Sequence, residues 1–160
     1  MTTTTKPSFV YVTYIATSAD KVWRAIVDPD VAREYWADPT KESMPHVNVS
    51  DWVPGSSWEH QRVDEARTVD VVGKVVESNA PHRLVLTWGR PNEADDESRH
   101  SRVTFNIEPF GDSLVRLTVL HEDLEKDEKM LVGISSGWPM ILSNLKTLLE
   151  TKRALGRSAA

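Results

Sequence analysis

The chain has 160 residues, of which 39% are hydrophobic and 27% are charged, a composition that predicts one globular domain and excludes a disordered, fibrous or coiled-coil protein. It carries 24 acidic and 19 basic residues, and the basic ones are dispersed along the chain, which argues against a nucleic-acid groove. The sequence contains no cysteine, so a disulfide scaffold, a thiolate zinc site and a cysteine nucleophile are excluded as well.

Both ends of the chain are expected to be disordered, residues 1–7 as a leader and residues 156–160 as a tail, around a single domain at 8–155. The leader is a threonine run with one lysine and lacks the apolar stretch of a secretory signal. No apolar run approaches the roughly 18 residues needed to cross a bilayer. We therefore expect a cytoplasmic protein without a membrane span.

The first part of the domain predicts a strand followed by two short helices. Phe9–Ala16 is rich in β-branched and aromatic residues, which favours a strand. Ser18 offers an N-cap oxygen to a helix whose apolar residues recur at helical spacing until Asp28-Pro29. A second short helix is predicted at Asp30–Trp36, with Asp38-Pro39 closing it.

The middle of the chain, residues 44–121, predicts a meander of antiparallel strands separated by turn sequences. Apolar and polar residues alternate most clearly where Val103, Phe105 and Ile107 share one face. Gly73 interrupts one strand and predicts a bulge or bend where the sheet curves. The strands are placed near residues 44–49, 57–63, 68–78, 83–88, 101–109 and 113–121.

The last element is a long amphipathic helix, because its apolar residues recur at the i, i+3, i+4, i+7 spacing. Leu145 is predicted on the buried face and Lys146 outside it. Pro139 fits best in the first turn, although a helix that begins earlier and is kinked at this proline is the alternative. The apolar residues are Trp138, Ile141, Leu142, Leu145, Leu148, Leu149 and Leu155. Together the elements predict an α+β fold in which a curved antiparallel sheet wraps around the last helix.

This order of elements, together with several local sequences, resembles the START-like, helix-grip superfamily (SRPBCC), and within it the branch named after activators of the heat-shock chaperone ATPase. The resemblance implies an elongated, largely apolar cavity between the sheet and the long helix. Members include carrier-like binders, polyketide cyclases and aromatases, lyases and hydrolases, and no shared catalytic motif transfers to this chain. The matching segments are Ile15-Ala16-Thr17-Ser18 with Val22-Trp23-Arg24-Ala25, Gly73-Lys74-Val75-Val76-Glu77, Pro81-His82-Arg83-Leu84-Val85-Leu86-Thr87-Trp88, Leu117-Thr118-Val119-Leu120-His121, and Gly137-Trp138 followed by Leu142, Leu145 and Lys146.

The tryptophans are the main candidates for a ligand pocket, since an indole combines a large apolar face with one hydrogen-bond donor. Core filling is the alternative role for any one of them. If Trp88 and Trp138 line a cavity, replacing either with Phe is expected to weaken binding more than stability. The predicted ligand-binding residues are Trp36, Trp58, His60, Trp88, Phe105, His121, Met130, Ile134, Trp138 and Ile141.

Signals for a catalytic or metal site are weak. The five histidines are never two or four residues apart, so no strand or helix pairs them as metal ligands, and no metal site is predicted. Gly133–Gly137 fits the G-x-S-x-G pattern, but no strand precedes it and no histidine follows it, which favours small helix residues over a nucleophile elbow. His121 is either a pocket acid or base or a core-edge histidine bonded to the backbone. The acidic connector 122–128 is interpreted as a solvated loop, with a mobile lid as the alternative.

We interpret the chain as a binding protein for a small, mostly apolar or aromatic molecule, held between sheet and helix without a cofactor or metal. One alternative is a cyclase, hydrolase or lyase that uses the same cavity, with His121 as the acid or base and Glu59 or Arg62 as polar helpers. Another is an interaction module that modulates a chaperone. A homodimer and a protein partner stay open, and no nucleic acid is expected.

Overall fold

The computed structural model describes residues 6–155, which form seven strands and three α-helices. Residues 1–5 and 156–160, which include most of the expected leader and all of the expected tail, lie outside the described residues. The strands are β1 (Phe9–Ile15), β2 (His46–Ser50), β3 (Ser57–Arg62), β4 (Val69–Asn79), β5 (Arg83–Trp88), β6 (Ser101–Pro109) and β7 (Val115–Glu122). The α-helices are α1 (Ala19–Val27), α2 (Pro29–Tyr35) and α3 (Glu128–Thr151), and two single-turn 3₁₀ helices, Pro91–Glu93 and Glu97–Arg99, follow β5.

The strands form one antiparallel sheet in the order β1-β7-β6-β5-β4-β3-β2, so consecutive strands from β2 to β7 are neighbours and β1 joins β7. This arrangement confirms the predicted meander and the α+β helix-grip fold. One face of the sheet is buried, as the strict alternation of buried and half-buried residues along β7 shows. Helices and sheet share one core, to which α3 contributes Trp138, Leu142 and the fully buried Leu145.

The first short helix has the predicted N-cap, Ser18, and the second begins at Pro29, one residue before its predicted start. Ser18 Oγ accepts a hydrogen bond from the Lys21 N–H at 3.4 Å and starts α1. Asp28 ends α1, and its carboxylate accepts from the Asp30 N–H at 3.0 Å to start α2. Pro29 suits the first position of α2, because the N–H that proline lacks has no partner inside the helix there. Asp28 is therefore the single residue between α1 and α2.

The predicted start of the long helix is wrong. Pro139 lies inside α3, not in its first turn, and the helix begins at Glu128, as in the alternative that the sequence left open. Asp127 is the N-cap, and its carboxylate accepts a hydrogen bond from the Met130 N–H at 2.9 Å. A proline inside a helix costs about 3 kcal/mol in isolation. Here the burial of Trp138 and Leu142, which lie before and after the proline, stabilises the helix against the sheet.

Gly73 lies near the point in β4 where pairing with β3 ends and pairing with β5 begins. It is opposite Trp58 of β3, and the β4–β5 pairing shifts register between Val75 and Glu77. A Cβ at Gly73 would lie 1.9 Å from the Thr87 carbonyl oxygen and 2.5 Å from Trp58 Nε1. The glycine is therefore required by the close approach of these two groups to the strand, next to the irregular pairing.

Within the described residues no helix is long and apolar enough to span a membrane.

Candidate functional site

A cavity of about 120 Å³ lies between α3 and the inner face of the sheet. Its wall combines three helix turns with two strands and the end of α2. For comparison, an engineered apolar cavity of about 150 Å³ binds benzene. The space therefore suits one aromatic ring, which is less than the elongated cavity that the resemblance implies. The lining residues are Trp36, His60, Trp88, Gly133, Ile134, Gly137, Trp138 and Ile141.

Four aromatic side chains form a closed circuit around this cavity, which we call the aromatic circuit: Trp36, His60, Trp88 and Trp138. The ring centroids of Trp36 and His60 are 5.1 Å apart, and those of His60 and Trp88 are 6.0 Å apart. Trp88 and Trp138 are separated by 5.5 Å, and Trp138 and Trp36 by 5.9 Å. All four side chains are buried, so their faces and edges form a wall that is apolar but rich in π electrons.

The circuit is assembled by four different elements. His60 and Trp88 occupy inward positions of β3 and β5, where every second side chain points to the core. Trp36 is the C-cap of α2, and this helix is tied to α3 because Asn144 Nδ2 donates to the Tyr35 carbonyl oxygen at 2.6 Å. Trp138 comes from α3 itself.

Among the described residues that line the cavity, His60 is the only titratable one. Its Nδ1 is 2.7 Å from Asn48 Oδ1, and Asn48 Nδ2 donates to the Ile26 carbonyl oxygen at 2.9 Å. Because a carbonyl only accepts, the Asn48 amide orientation is settled, and His60 Nδ1 must carry the proton. Burial, helped by neighbouring His46 and opposed by Asp70, lowers the pKa of His60 to about 3. The imidazole is therefore neutral, and its Nε2 is an unprotonated acceptor.

His121, the predicted acid or base, does not line the cavity. It is completely buried, and both ring nitrogens are occupied: Nδ1 accepts from Trp138 Nε1 at 3.1 Å, and Nε2 is 2.7 Å from Ser101 Oγ. Burial lowers the pKa of His121 to about 4. It supports the cavity wall from behind by orienting the Trp138 indole, and the site gives no support to an acid or base role for it.

The other predicted site residues divide into two groups. Trp36, His60, Trp88, Ile134, Trp138 and Ile141 line the cavity, whereas Trp58, Phe105, His121 and Met130 do not. Trp58 and Phe105 are core residues, and the Trp58 Nε1 donates to the Thr87 carbonyl oxygen at 2.7 Å.

The suggested polar helpers also lie elsewhere. Glu59 points to the opposite side of β3 from its buried neighbours and accepts from Gln61 Nε2 at 2.9 Å. Arg62 is exposed and paired with Asp70, with its Nε 2.8 Å from Asp70 Oδ2. Neither residue is brought to the cavity.

Sequence reasoning missed Gly133 and Gly137, which line the cavity one helical turn apart. A Cβ added at either would meet no atom within 4 Å, so both border open space. The serines between them bond to the helix instead: Ser135 Oγ donates to the Leu131 carbonyl oxygen at 2.6 Å, and Ser136 Oγ to that of Gly133 at 3.3 Å. The G-x-S-x-G pattern is therefore part of a helix whose two glycines leave the cavity wall without side chains at these positions. It is not a nucleophile elbow, as the absence of a preceding strand indicated.

The acidic connector before α3 is anchored to the domain at Leu124 and Asp127. Leu124 is buried in the core. Asp127 Oδ2 accepts from Arg90 Nε at 2.7 Å while the same carboxylate caps α3. Arg90 thereby lowers the pKa of Asp127.

In the described part of the chain, no group of three or more His, Cys, Asp or Glu residues is arranged to hold a metal ion.

Comparisons with known proteins agree with this fold. The structure is similar to the solution structure of a Cytophaga hutchinsonii protein, with a TM-score of 0.69 and 23% identity over 92% of this chain and 96% of that one. It is similar to a protein of Arthrobacter aurescens, with a TM-score of 0.72 and 18% identity over 94% and 90% of the two chains. It is also similar to CalU16 of Micromonospora echinospora, with a TM-score of 0.63 and 21% identity over 91% and 77%.

No protein of curated function matches the chain. The sequence does match a family profile, described as Activator of Hsp90 ATPase homolog 1-like protein, over residues 16–150. This match begins immediately after β1 and includes both short helices, the strands β2 to β7 and nearly all of α3. The chain therefore belongs to the family of Activator of Hsp90 ATPase homolog 1-like proteins.

Proposed function

We propose that the protein binds a small, mostly apolar molecule of about one aromatic ring in the cavity between the sheet and α3. The observation that carries this proposal is the aromatic circuit around about 120 Å³ of open space. Such a wall offers a ring both stacking and edge contacts, worth about 0.5–1.5 kcal/mol per aromatic pair beyond the burial of apolar area.

The two cavity glycines support the same proposal, because they are unfavourable for the helix that contains them. A glycine inside a helix costs about 1 kcal/mol relative to alanine. Neither Gly133 nor Gly137 is needed for close packing, since an added Cβ would meet no atom within 4 Å. Gly133 is exposed and Gly137 is half-buried, and because both line the cavity, the lack of a side chain at these positions leaves its opening clear for a ligand.

Binding is favoured over catalysis by the chemistry of the lining. Within residues 6–155, His60 is the only titratable group that lines the cavity, and no second acid or base accompanies it there. A base whose pKa is about 3 is far from the range near neutral pH in which proton transfer is efficient. We therefore do not propose the cyclase, hydrolase or lyase activity. The homodimer, the protein partner and the cytoplasmic location stay predictions from the sequence.

The test combines native mass spectrometry with a titration. Protein purified gently from its own cells should carry an adduct of a small molecule, and the empty protein should bind toluene, monitored by tryptophan fluorescence. Gly137→Leu places a side chain in the cavity and should abolish toluene binding. The matched control is Ser136→Leu, one residue away on the exposed side of α3, which should bind toluene like the wild type. Toluene binding that is absent from the wild type, or equal in both variants, would refute the proposal.

A further inference from the structure

We infer that the ligand carries a neutral hydrogen-bond donor, a hydroxyl or N–H on its ring, and that His60 Nε2 accepts this hydrogen bond. The inference rests on the proposed function and names the class of ligand: a phenol-like molecule rather than a hydrocarbon or a cation. It assigns to His60 the recognition of one polar group inside an otherwise apolar site.

The first step is the orientation of the His60 ring. Ile26 offers a backbone carbonyl, which holds the amino group of Asn48 at 2.9 Å, and this leaves Asn48 Oδ1 as the acceptor for His60 Nδ1–H at 2.7 Å. Asn48 and His60 are directly opposite each other in β2 and β3, so the sheet itself fixes this pair. The nitrogen left without a hydrogen-bond partner among the described residues is Nε2, on a ring that lines the cavity.

The second step is the rigidity of that ring. His46 stacks on His60 with centroids 4.5 Å apart and an angle of 9° between the rings. His46 is held in turn, because its Nε2 is 2.7 Å from Asp70 Oδ2, and Asp70 is also bonded to Arg62 Nε at 2.8 Å. His60 is thus fixed from its face by His46 and from its Nδ1 edge by Asn48. An acceptor held in this way is preorganised for a donor.

The third step is the effect of a bound ring on the acceptor. A ring that fills the cavity would shield His60 Nε2 from solvent, and a buried polar atom without a partner is unfavourable. A hydroxyl on the ring removes this penalty, whereas a methyl group leaves it in place. The site should therefore discriminate between two rings of nearly the same size by this one group.

A cationic ligand is the competing possibility, because aromatic cages attract quaternary ammonium groups. A buried cation needs a carboxylate to offset its loss of hydration, and no Asp or Glu of the described part of the chain lines the cavity. The lone pair of a neutral imidazole is better matched to a neutral donor. The geometry thus favours the phenol-like ligand.

The experiment compares phenol with toluene by calorimetry on the wild type, His60→Phe and His82→Phe. The wild type should bind phenol at least as tightly as toluene. His60→Phe keeps an aromatic ring but removes the acceptor, so phenol should weaken by about tenfold or more relative to toluene. His82→Phe is the matched control at an exposed position outside the cavity and should behave like the wild type.

The outcomes separate this inference from the proposed function. If neither probe binds the wild type, both fail. If toluene binds and phenol binds tenfold or more weakly, or if choline binds more tightly than phenol, only the inference fails. A measurement without any variant guards against misfolding of His60→Phe: ¹⁵N NMR of the wild type should show His60 protonated at Nδ1, with the Nε2 resonance shifted by phenol. A proton on Nε2, or no shift with phenol bound, would overturn the inference.

Discussion

The same substitution at two neighbouring tryptophans should have clearly different effects on stability. Trp88 and Trp138 are both buried, and their ring centroids are 5.5 Å apart. Trp138 Nε1 donates to the buried His121 Nδ1 at 3.1 Å, whereas Trp88 Nε1 is buried without a hydrogen-bond partner among the described residues. Changing either residue to Phe removes a similar volume, but only Trp138→Phe breaks a hydrogen bond.

The difference in the free energy of unfolding can be worked out from this contrast. Trp138→Phe leaves an acceptor on His121 buried and unsatisfied, which costs about 1–3 kcal/mol. Trp88→Phe removes a donor that had no partner and pays no such penalty. We therefore expect Trp138→Phe to be less stable than Trp88→Phe by about 1–3 kcal/mol, or a Tm lower by about 2–12 °C for a domain of this size. This refines the expectation from the sequence that, if the two tryptophans line a cavity, either change would affect binding more than stability.

The assay is urea unfolding followed by circular dichroism on the wild type and both variants, with toluene affinity measured on the same samples. Both variants should bind toluene more weakly than the wild type, since both alter the aromatic circuit. Equal stability of the two variants, or a lower stability of Trp88→Phe, would refute the role assigned to the bond between Trp138 and His121.

Three further predictions concern the cavity glycine, the strand glycine and the buried histidines. Gly137→Ala should raise the free energy of unfolding by about 1 kcal/mol, because it favours the helix without a clash, and should weaken toluene binding several-fold. In calorimetry the control Ser136→Ala should bind toluene with the affinity and enthalpy of the wild type. Toluene binding by Gly137→Ala that equals that of the wild type would contradict the proposed site. Gly73→Val should destabilise the fold by more than about 3 kcal/mol, because its Cβ would overlap a backbone carbonyl; a melting curve coincident with that of the wild type would contradict this. Burial lowers the pKa of His60 to about 3 and that of His121 to about 4. In the unfolded chain both histidines take up protons once the pH falls below about 6.5, while in the folded chain they stay neutral. The free energy of unfolding should therefore decline on acidification, by up to about 1.4 kcal/mol per pH unit for each histidine. Urea unfolding at several pH values between 7.5 and 4.5 checks this, and a stability that is unchanged down to pH 4.5 would be inconsistent with neutral buried histidines.

Much of the fold could be predicted because it depends on local patterns. Alternation along the strands and capping residues such as Ser18 place most elements within a few residues of their observed bounds. The helical repeat correctly put Leu145 in the core, where it is fully buried. The start of α3 was misplaced because Pro139 is a strong helix-start signal, while the true N-cap, Asp127, lies within a run of acidic residues that resembles a loop.

The site was harder to predict because it depends on pairing between distant segments. The sequence placed both His60 and His121 among the ligand-binding residues and singled out His121 as the acid or base, but of the two only His60 lines the cavity. His121 lies behind Trp138, where both of its ring nitrogens are bonded to Trp138 and Ser101. The role of Asn48 depends on the β2–β3 register, which no local pattern encodes. Gly133 was missed because a glycine that leaves space in a helix looks the same, in sequence, as one in a turn.

The location of the bound ring is the most direct test of the account. Nuclear Overhauser contacts between toluene protons and the isotope-labelled protein would identify the residues that surround it. The account predicts contacts to the α protons of Gly137 and to the ring protons of Trp36 and Trp88, all of which line the cavity. Contacts confined to exposed apolar residues of β1, such as Val10 and Val12, would show that the ring binds the outer surface and would contradict the proposed site.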